Sequence, residues 1–510
     1  MALCFKKQPF TIAAFIIFFL LLSLPHFSAS ASSNDLSCLK VSPINFTNSA
    51  KEIITNLQQV TSNLSRFTGD ISHPLLLNTI SDCLDLLDVS VDQLYWIIST
   101  TQNPKGKDNS TGNLSSDLRT WLSAVLVNTD TCIEGLQGTN VMGLVYADLD
   151  RVMSSVKNLL DEVILINDQL PTATSSDQFP SWMKDSDMKL LQANETTADA
   201  VVAADGSGNY SNVTDAVFAA PDFNMKRHVI FVKKGVYVEN VDIKKKKWNI
   251  MIIGEGMDAT VISGNRSCVG GSTPFHSATF AVNGRGFIAQ DISFRNTAGP
   301  EMHQAVALRS DSDLSVFHRC GIFGYQDSLY PHSMRQFYRE CTIAGTVDFI
   351  FGYATAVFQN CQIIAKQGRP NQKNTVTAQG RIDPNEPTGF SFQFCNISAE
   401  NETIPTYLGR PWKNYSRTIF MQSHMSNAIR PEGWLEWDGS FALDTLYYGE
   451  YNNSGPGAEI ANRVKWPGYH VFNDSSDASK YTVAEFIEGD LWLPSTGVNY
   501  TAGLVNGKKA

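Results

Sequence analysis

An aromatic–small–isoleucine repeat with a period near twenty residues runs through the middle of this chain. A phenylalanine is followed three or four positions later by a small or acidic residue, and then by isoleucine two positions further on. Short apolar strands at such a period predict a coiled solenoid in which each turn stacks on the preceding one. The copies are Phe287/Asp291, Phe317/Cys320/Ile322, Phe337/Cys341/Ile343, Phe358/Cys361/Ile363 and Phe392/Cys395/Ile397.

Two aspartates, Asp327 and Asp348, lie in phase with this repeat. They are 21 residues apart (348 − 327), the same separation as Cys320 and Cys341 (341 − 320). If one period is one coil, the two carboxyl groups lie about 5 Å apart along the stack. Two carboxylates at that distance do not ionise together easily, so one keeps its proton while the other is an anion. An acid beside a base or nucleophile favours an enzyme, although aspartate also commonly caps turns.

Length and charge narrow the function further. The chain has 510 residues, 43% of them hydrophobic, and a formal charge of −10, so it lacks the basic excess of a nucleic-acid-binding protein. Its basic run is 244–247, four consecutive lysines. Two interpretations of this run stay open, a solvated edge of the solenoid or a contact with an acidic polymer.

The N-terminus predicts export. Residues 1–31 have a charged start, an apolar run and an Ala-Ser-Ala site, which are typical of a secretory signal peptide, although a retained signal anchor is the alternative. We therefore expect a secreted, extracellular glycoprotein without stable membrane association after cleavage. Glycosylation sequons include Asn45, Asn63, Asn109, Asn113, Asn194, Asn212, Asn265, Asn396 and Asn401.

Cysteine usage agrees with an oxidising compartment. The eight cysteines after the leader have no C-x-x-C spacing, so a zinc site is not expected and disulfides are. Cys83 and Cys132 fall on the second and third of four amphipathic segments and could be bridged.

The chain divides into two architectures. Residues 32–170 carry four apolar stripes at helical spacing, which predict a four-helix bundle. Residues 171–192 are polar and predict a linker, and 193–510 are rich in short strands.

Further polar side chains are candidates for a site. Arg410 could hold one carboxylate ionised through a bidentate pair. Gln304 and Gln326 are neutral donors of the kind that stabilise an oxyanion. Trp412 and Trp434 could stack on sugars or pack in a core. The chain has no G-x-S-x-G, H-E-x-x-H or P-loop motif, which disfavours a serine or zinc hydrolase.

Five blocks of sequence stand in order along the second part of the chain: Gly235–Glu239, Gln304–Arg309, Gly324–Tyr330, Gly345–Gly352 and Leu408–Trp412. Together they resemble the plant pectin methylesterases, carbohydrate esterases built on a right-handed parallel β-helix. Similarity covers about 193–510, and 32–170 resembles the pectin methylesterase inhibitor domain that one branch carries as a pro-region. The resemblance implies an all-β parallel β-helix catalytic domain preceded by an all-α four-helix bundle, with no metal or organic cofactor.

The resemblance also implies roles for individual residues. Asp348 attacks the methyl-ester carbonyl of a galacturonate unit, and Asp327 is the general acid and then the general base. Gln326 and Gln304 stabilise the oxyanion, and Cys341–Cys361 is a disulfide. The implied partners are pectin (homogalacturonan) in the cell wall and an inhibitor domain, intramolecular or separate. The implied substrate contacts are Thr279, Gln304, Arg410 and Trp412.

Two alternatives remain open from the residues themselves. A carboxyl pair also suits a glycosidase, or a lyase on the same fold, and an inactive solenoid could be a wall-binding scaffold. The chain also departs from the family pattern. Cys38 has no nearby cysteine, Tyr353 replaces a smaller residue, and the processing site, usually dibasic, is Met188–Leu191.

Overall fold

The computed structural model describes residues 36–67, 74–104, 110–164 and 197–505. The predicted leader, the linker with the Met188–Leu191 site, and the sequons at Asn109 and Asn194 lie outside the described residues. The boundaries proposed for the signal peptide and the linker therefore stay predictions.

Four amphipathic helices form the N-terminal bundle: α1 (Pro43–Ser65), α2 (Pro74–Gln102), α3 (Leu114–Leu136) and α4 (Met142–Asp161). Ser42 caps α1 by accepting a hydrogen bond from the backbone N–H of Asn45. Asn113 caps α3 by accepting a hydrogen bond from the backbone N–H of Ser116. No helix among the described residues is long and apolar enough to cross a membrane.

A disulfide between Cys83 and Cys132 joins α2 to α3, as the sequence suggested. Both sulfurs lie in the apolar core of the bundle, beside Leu87 and Leu122. The disulfide fixes α2 and α3 to each other, and these two helices also face the β-helix.

The remaining described residues form a parallel β-helix with short helices α5 (Val213–Ala219), α6 (Ser475–Ser479), α7 (Val483–Phe486) and α8 (Gly489–Trp492). In chain order the strands are β1 Ala200–Val202, β2 His228–Val232, β3 Gly235–Val238, β4 Val241–Ile243, β5 Ile250–Ile253, β6 Thr260–Gly264, β7 Phe280–Val282, β8 Ile288–Gln290, β9 Ser293–Asn296, β10 Leu308–Ser310, β11 Ser315–His318, β12 Gly321–Phe323, β13 Leu329–Pro331, β14 Arg335–Arg339, β15 Thr342–Gly345, β16 Ile350–Gly352, β17 Thr355–Gln359, β18 Gln362–Ala365, β19 Asn374–Gln379, β20 Gly389–Gln393, β21 Asn396–Ala399, β22 Thr406–Gly409, β23 Arg417–Met421, β24 His424–Met425, β25 Tyr447–Tyr451 and β26 Tyr469–Val471.

Successive strands fall into three parallel sheets, so each coil contributes one strand to each sheet. Sheet 1 has the order β1-β2-β5-β8-β11-β14-β17-β20-β23-β25-β26, sheet 2 the order β22-β19-β16-β13-β10-β7-β4, and sheet 3 the order β24-β21-β18-β15-β12-β9-β6-β3. The predicted fold class, a four-helix bundle followed by a parallel β-helix, is confirmed.

A column of aromatic rings fills the interior of the β-helix. Phe317 stacks on Tyr338 with ring centroids 4.9 Å apart, and Phe358 continues the column at 4.7 Å. The repeat assigned this position to Phe337, which is wrong. Neighbouring residues of a strand face opposite sides, and Phe337 lies on the outer side against the C-terminal segment, near Tyr500.

The cysteines of the repeat also stack, with Cys341 and Cys361 on adjacent coils. The disulfide implied for this pair is not formed, since both residues are free thiols. Each S–H instead points at a backbone carbonyl of the preceding coil, from Cys341 to Phe317 and from Cys361 to Tyr338. Interior packing and these weak hydrogen bonds, rather than a crosslink, hold the column of thiols.

We expect Phe358→Ala to lower the free energy of unfolding by about 3–5 kcal/mol, because it opens a cavity in the middle of the aromatic column. Phe218→Ala is the matched control, since that ring is 83% exposed, and it should change stability by no more than about 0.5 kcal/mol. Denaturant titration followed by near-ultraviolet circular dichroism measures both. Equal losses for the two variants would contradict the structural role of the column.

Candidate active site

Asp327 and Asp348 occupy the same position on adjacent coils. Each lies two residues before a strand of sheet 2, and β13 pairs with β16 in the register Leu329 to Ile350. Both adopt left-handed backbone angles, with φ of 64° and 50°, and both are almost buried. Non-glycine residues in this region are uncommon and cluster at functional sites. The phase match predicted from the repeat is confirmed.

Asp348 is bound by two neighbouring side chains. Arg410, which follows β22, donates from Nε to Oδ1 at 2.9 Å and from Nη2 to Oδ2 at 2.7 Å. Thr375 donates its hydroxyl to Oδ1 at 2.7 Å and accepts a hydrogen bond from the Asp348 N–H. A bidentate guanidinium pair stabilises the ionised form and fixes the plane of the carboxylate.

Asp327 is in the opposite electrostatic situation. Burial raises its pKa well above the usual value, the negative Asp348 raises it further, and Arg410 offsets only part of this. The two carboxyl groups therefore differ in their surroundings, since Asp327 has a raised pKa and Asp348 has the arginine pair. The sequence predicted one acid and one anion, and which residue takes which role stays a prediction.

The raised pKa of Asp327 predicts a pH-dependent stability. An aspartic acid with a higher pKa in the folded chain favours folding below its unfolded pKa, about 3.9, and this contribution is lost as the pH rises through the folded pKa. We therefore expect Asp327→Asn to be more stable than the unmodified protein at pH 7, by about 1 kcal/mol or more. The gain should shrink towards zero near pH 4. Thermal unfolding at the two pH values measures it, with the exposed Asp258→Asn as control; a pH-independent difference would contradict the assignment.

A cavity of about 860 Å³ surrounds this pair. Gln304 and Gln326 line it from adjacent coils, which are tied by the hydrogen bond from Ala305 N–H to the Gln326 carbonyl. Trp412 also lines it, packed against Phe351. The structure thus brings together Asp327, Asp348, Gln304, Gln326, Arg410 and Trp412.

Two sequence candidates do not reach the cavity. Thr279 is fully buried and its hydroxyl donates to the Arg295 carbonyl, so the side chain faces the interior rather than a sugar. Trp434 is also buried and stacks on Tyr448 at 4.1 Å, which makes it a core residue.

Two residues of the site were missed. Thr375 contacts Asp348 directly, and Trp437 lines the cavity with the Arg410 guanidinium 4.4 Å from its ring centre. Trp437 lies three residues after the sequence candidate Trp434, and this proximity was the available signal. Nothing in the sequence marks Thr375, because its neighbour Asp348 is 27 residues away on another coil. Among the described residues, no group of three histidine, cysteine, aspartate or glutamate side chains is gathered to hold a metal ion.

Comparison with known proteins shows the family and supports the fold. Residues 199–490 match the family model described as Pectinesterase, and residues 21–165 match Plant invertase/pectin methylesterase inhibitor. The chain belongs to the pectinesterase family. It is therefore a carboxylic ester hydrolase, and the activity of the family is the demethylesterification of pectin.

Two relatives match this chain over nearly its whole length. It is 64% identical over 488 residues to the pectinesterase/pectinesterase inhibitor PPE8B of Prunus persica, covering 93% of each protein. It is 58% identical over 516 residues to the probable pectinesterase/pectinesterase inhibitor 32 of Arabidopsis thaliana, covering 96% of this chain and 98% of the relative.

Solved structures match the β-helix by itself. A pectin methylesterase from carrot is 53% identical, with a TM-score of 0.60, and its whole chain corresponds to 61% of this one. An Aspergillus niger pectin methylesterase is 30% identical at a TM-score of 0.50, over 57% of this chain and 94% of that one.

The inhibitor-like bundle lies over the site of the pectinesterase domain. Helices α2 and α3 and the turn after α3 form one wall of the cavity, and the Cys83–Cys132 disulfide is part of that wall. On the β-helix side, Tyr330, Phe351 and Tyr353 belong to one apolar cluster with Leu86 and Val127 of the bundle. The carboxyl pair is therefore enclosed between the two domains.

Ion pairs fasten α3 beside the cleft. Lys413 lies 2.8 Å from Asp130 and 2.6 Å from Glu134, one helical turn apart. Tyr353 donates its hydroxyl to the same two carboxylates, so the departure from the family pattern at this position contacts the bundle. Burial raises the pKa of Glu134, while Lys413 lowers it in part.

A second, fully buried contact holds the start of α3. Arg335 of β14 binds Asp117 of the bundle at 2.8 Å and Asp313 of the β-helix through two further hydrogen bonds. Asp117 also accepts from Ser110 and Thr111, which ties the loop before α3 to the same point. Removing one member of such a pair costs about 3–5 kcal/mol, so the bundle is docked at defined positions.

Proposed function

We propose that the protein hydrolyses methyl esters of galacturonate residues in pectin through a covalent intermediate on Asp348. The observation that carries this is the bidentate Arg410 pair on Asp348, next to an aspartic acid with a raised pKa. Arg410 and Thr375 fix the position of this carboxylate in the lining of the cavity. A bidentate guanidinium pair favours the ionised form of a carboxylate, which is the form that attacks an ester.

In the first step an oxygen of Asp348 attacks the ester carbonyl carbon. The carbonyl electrons move to oxygen, and their return expels the methoxy group, which takes the proton of Asp327 and leaves as methanol. The acid is then joined to Asp348 as an anhydride. Asp327, now ionised, removes a proton from water, which attacks the acyl carbon and regenerates Asp348.

The two glutamines support the tetrahedral intermediate. The side-chain amides of Gln326 and Gln304 line the cavity with the carboxyl pair and are donors that need no protonation change. Removing one donor of this type costs roughly 10²–10³-fold in turnover. We assign Gln326 and Gln304 to the developing oxyanion, and Trp412 and Arg410 to the sugar chain.

We further propose that the bundle restrains the enzyme within one chain, and that the protein is secreted to the cell wall. The restraint is supported by the walls of the cavity, nearly half of whose lining residues come from α2, α3 and the turn after α3. Secretion is supported by the signal-like residues 1–31 and by the location of pectin.

Methanol release from highly methylated pectin tests the proposal, with polymer length followed in the same reaction. We expect methanol without shortening of the polymer, and faster release by residues 192–510 than by the full chain. A shortened polymer would contradict the esterase and favour a glycosidase or a lyase. If neither folded form released methanol, the result would favour a wall-binding scaffold.

A further inference from the structure

The lysine run after β4 is covered by a row of carboxylates from the bundle. Lys245 lies 2.7 Å from Asp88 and 2.7 Å from Asp92, and Lys244 lies 2.9 Å from Asp85. The three aspartates are at positions i, i+3 and i+7 of α2, so they share one face of the helix and span about 10 Å.

The lysines differ in how many of their salt-bridge partners belong to the β-helix and would remain if the bundle moved away. Lys247 is paired with Asp222 and two backbone carbonyls of its own domain, and Lys244 keeps Asp242 at 2.8 Å. The two carboxylates on Lys245 both come from α2, and its side chain is 22% exposed. Movement of the bundle therefore uncovers a cation whose salt-bridge partners leave with α2.

The lysines are next to the catalytic cavity. A smaller cavity of about 170 Å³ is lined by Lys244 and Lys245, and Phe275 lines both this cavity and the catalytic one. β4 is three strands from β13 in sheet 2, about 14 Å along the stack. A polymer leaving the carboxyl pair across Phe275 would reach the lysines.

We propose that Lys244 and Lys245 form a binding site for de-esterified galacturonan, and that Asp85, Asp88 and Asp92 occupy this site in the closed chain. This rests on the proposed function, whose product carries one carboxylate on each hydrolysed sugar. The bundle presents a regularly spaced row of carboxylates to the same ammonium groups. Methylated pectin lacks that charge, so the site binds product rather than fresh substrate and keeps the enzyme at the edge of a de-esterified stretch.

Binding of the full chain to immobilised polygalacturonate tests the site. The triple variant Asp85→Asn/Asp88→Asn/Asp92→Asn frees the lysines, and we expect its Kd to be at least tenfold lower than that of the unmodified chain. Added salt should weaken this binding steeply, because the pairs are partly exposed. On a surface of fully methylated pectin, the triple variant should bind no more tightly than the unmodified chain.

Lysine variants in the triple-variant background make the test specific. Adding Lys244→Gln/Lys245→Gln should abolish the gain, whereas Lys480→Gln, an exposed lysine paired with Asp477, should leave it unchanged. Equal binding with and without Lys244 and Lys245, or equal gain for methylated pectin, would overturn the proposal.

A second readout separates this proposal from the proposed function. The β-helix has a large apolar core of its own, and the whole carrot chain corresponds to 61% of this one, so we expect residues 192–510 to fold independently. In that chain Lys244→Gln/Lys245→Gln should keep the initial methanol rate on highly methylated pectin and lose polygalacturonate binding at least tenfold. If the lysine variant of residues 192–510 bound polygalacturonate as tightly as the unmodified form, the lysine site would be overturned. If unmodified residues 192–510 bound polygalacturonate but released no methanol, only the proposed function would be overturned.

Discussion

Asp348→Asn is expected to reduce methanol release by roughly 10⁴-fold or more while leaving the fold intact. The amide keeps the shape of the carboxylate, but it cannot attack the ester or form the covalent intermediate. It also loses the charge that Arg410 binds at 2.9 and 2.7 Å, so the arginine is left without its anion. Initial rates on residues 192–510 measure the effect without the covering bundle.

Two comparisons make that result interpretable. Asp327→Asn should lose about 10²–10⁴-fold, the usual contribution of a general acid and base, and Asp258→Asn on an exposed turn should keep full activity. Near-ultraviolet circular dichroism checks the fold of each variant. A folded Asp348→Asn protein with more than a few per cent of normal turnover would remove Asp348 from the nucleophile role.

The second large effect concerns the bundle. We expect Lys413→Glu to raise methanol release by the full chain about 10- to 100-fold, because it places a third carboxylate against Asp130 and Glu134. Like charges at such an interface cost several kcal/mol, and each 1.4 kcal/mol changes the closed population tenfold. The full chain is the protein to assay, since the effect depends on α3 leaving the cavity.

Controls for this charge reversal come from the same chain. In residues 192–510, Lys413→Glu should leave the rate within about twofold of the unmodified form, which excludes a direct effect on the cleft. Adding Asp130→Lys/Glu134→Lys to the full-length variant should restore the restraint. An unchanged full-length rate would mean that the bundle does not limit access to the site.

The repeat in the sequence was enough to predict the coil register of Asp327 and Asp348. Parallel strands stack apolar positions on apolar positions, so a constant period places equivalent residues on neighbouring coils. The same reasoning failed at Phe337 and Tyr338. Two adjacent aromatic residues satisfy the pattern equally well, and only packing decides which one faces inwards.

Other parts of the site depend on contacts that no period encodes. Thr375 reaches Asp348 from the next coil, and Trp437 comes from a segment without regular strands. The family resemblance implied a disulfide between Cys341 and Cys361, but their thiols point at backbone carbonyls. The repeat could not predict how the bundle docks on the β-helix. The sequence does contain two complementary features, the aspartates Asp85, Asp88 and Asp92 at helical spacing and a lysine run, and the structure pairs them.

The shared wall of the catalytic cavity has a thermodynamic consequence. On the proposed restraint, in which α2 and α3 stand where the polymer binds, bundle docking and pectin binding exclude each other. Mass action then makes the polymer itself an opening agent: a ligand at 100 times its Kd favours the form it binds by about 2.7 kcal/mol. The open fraction of the enzyme would thus follow the local density of pectin, without any cut in the chain.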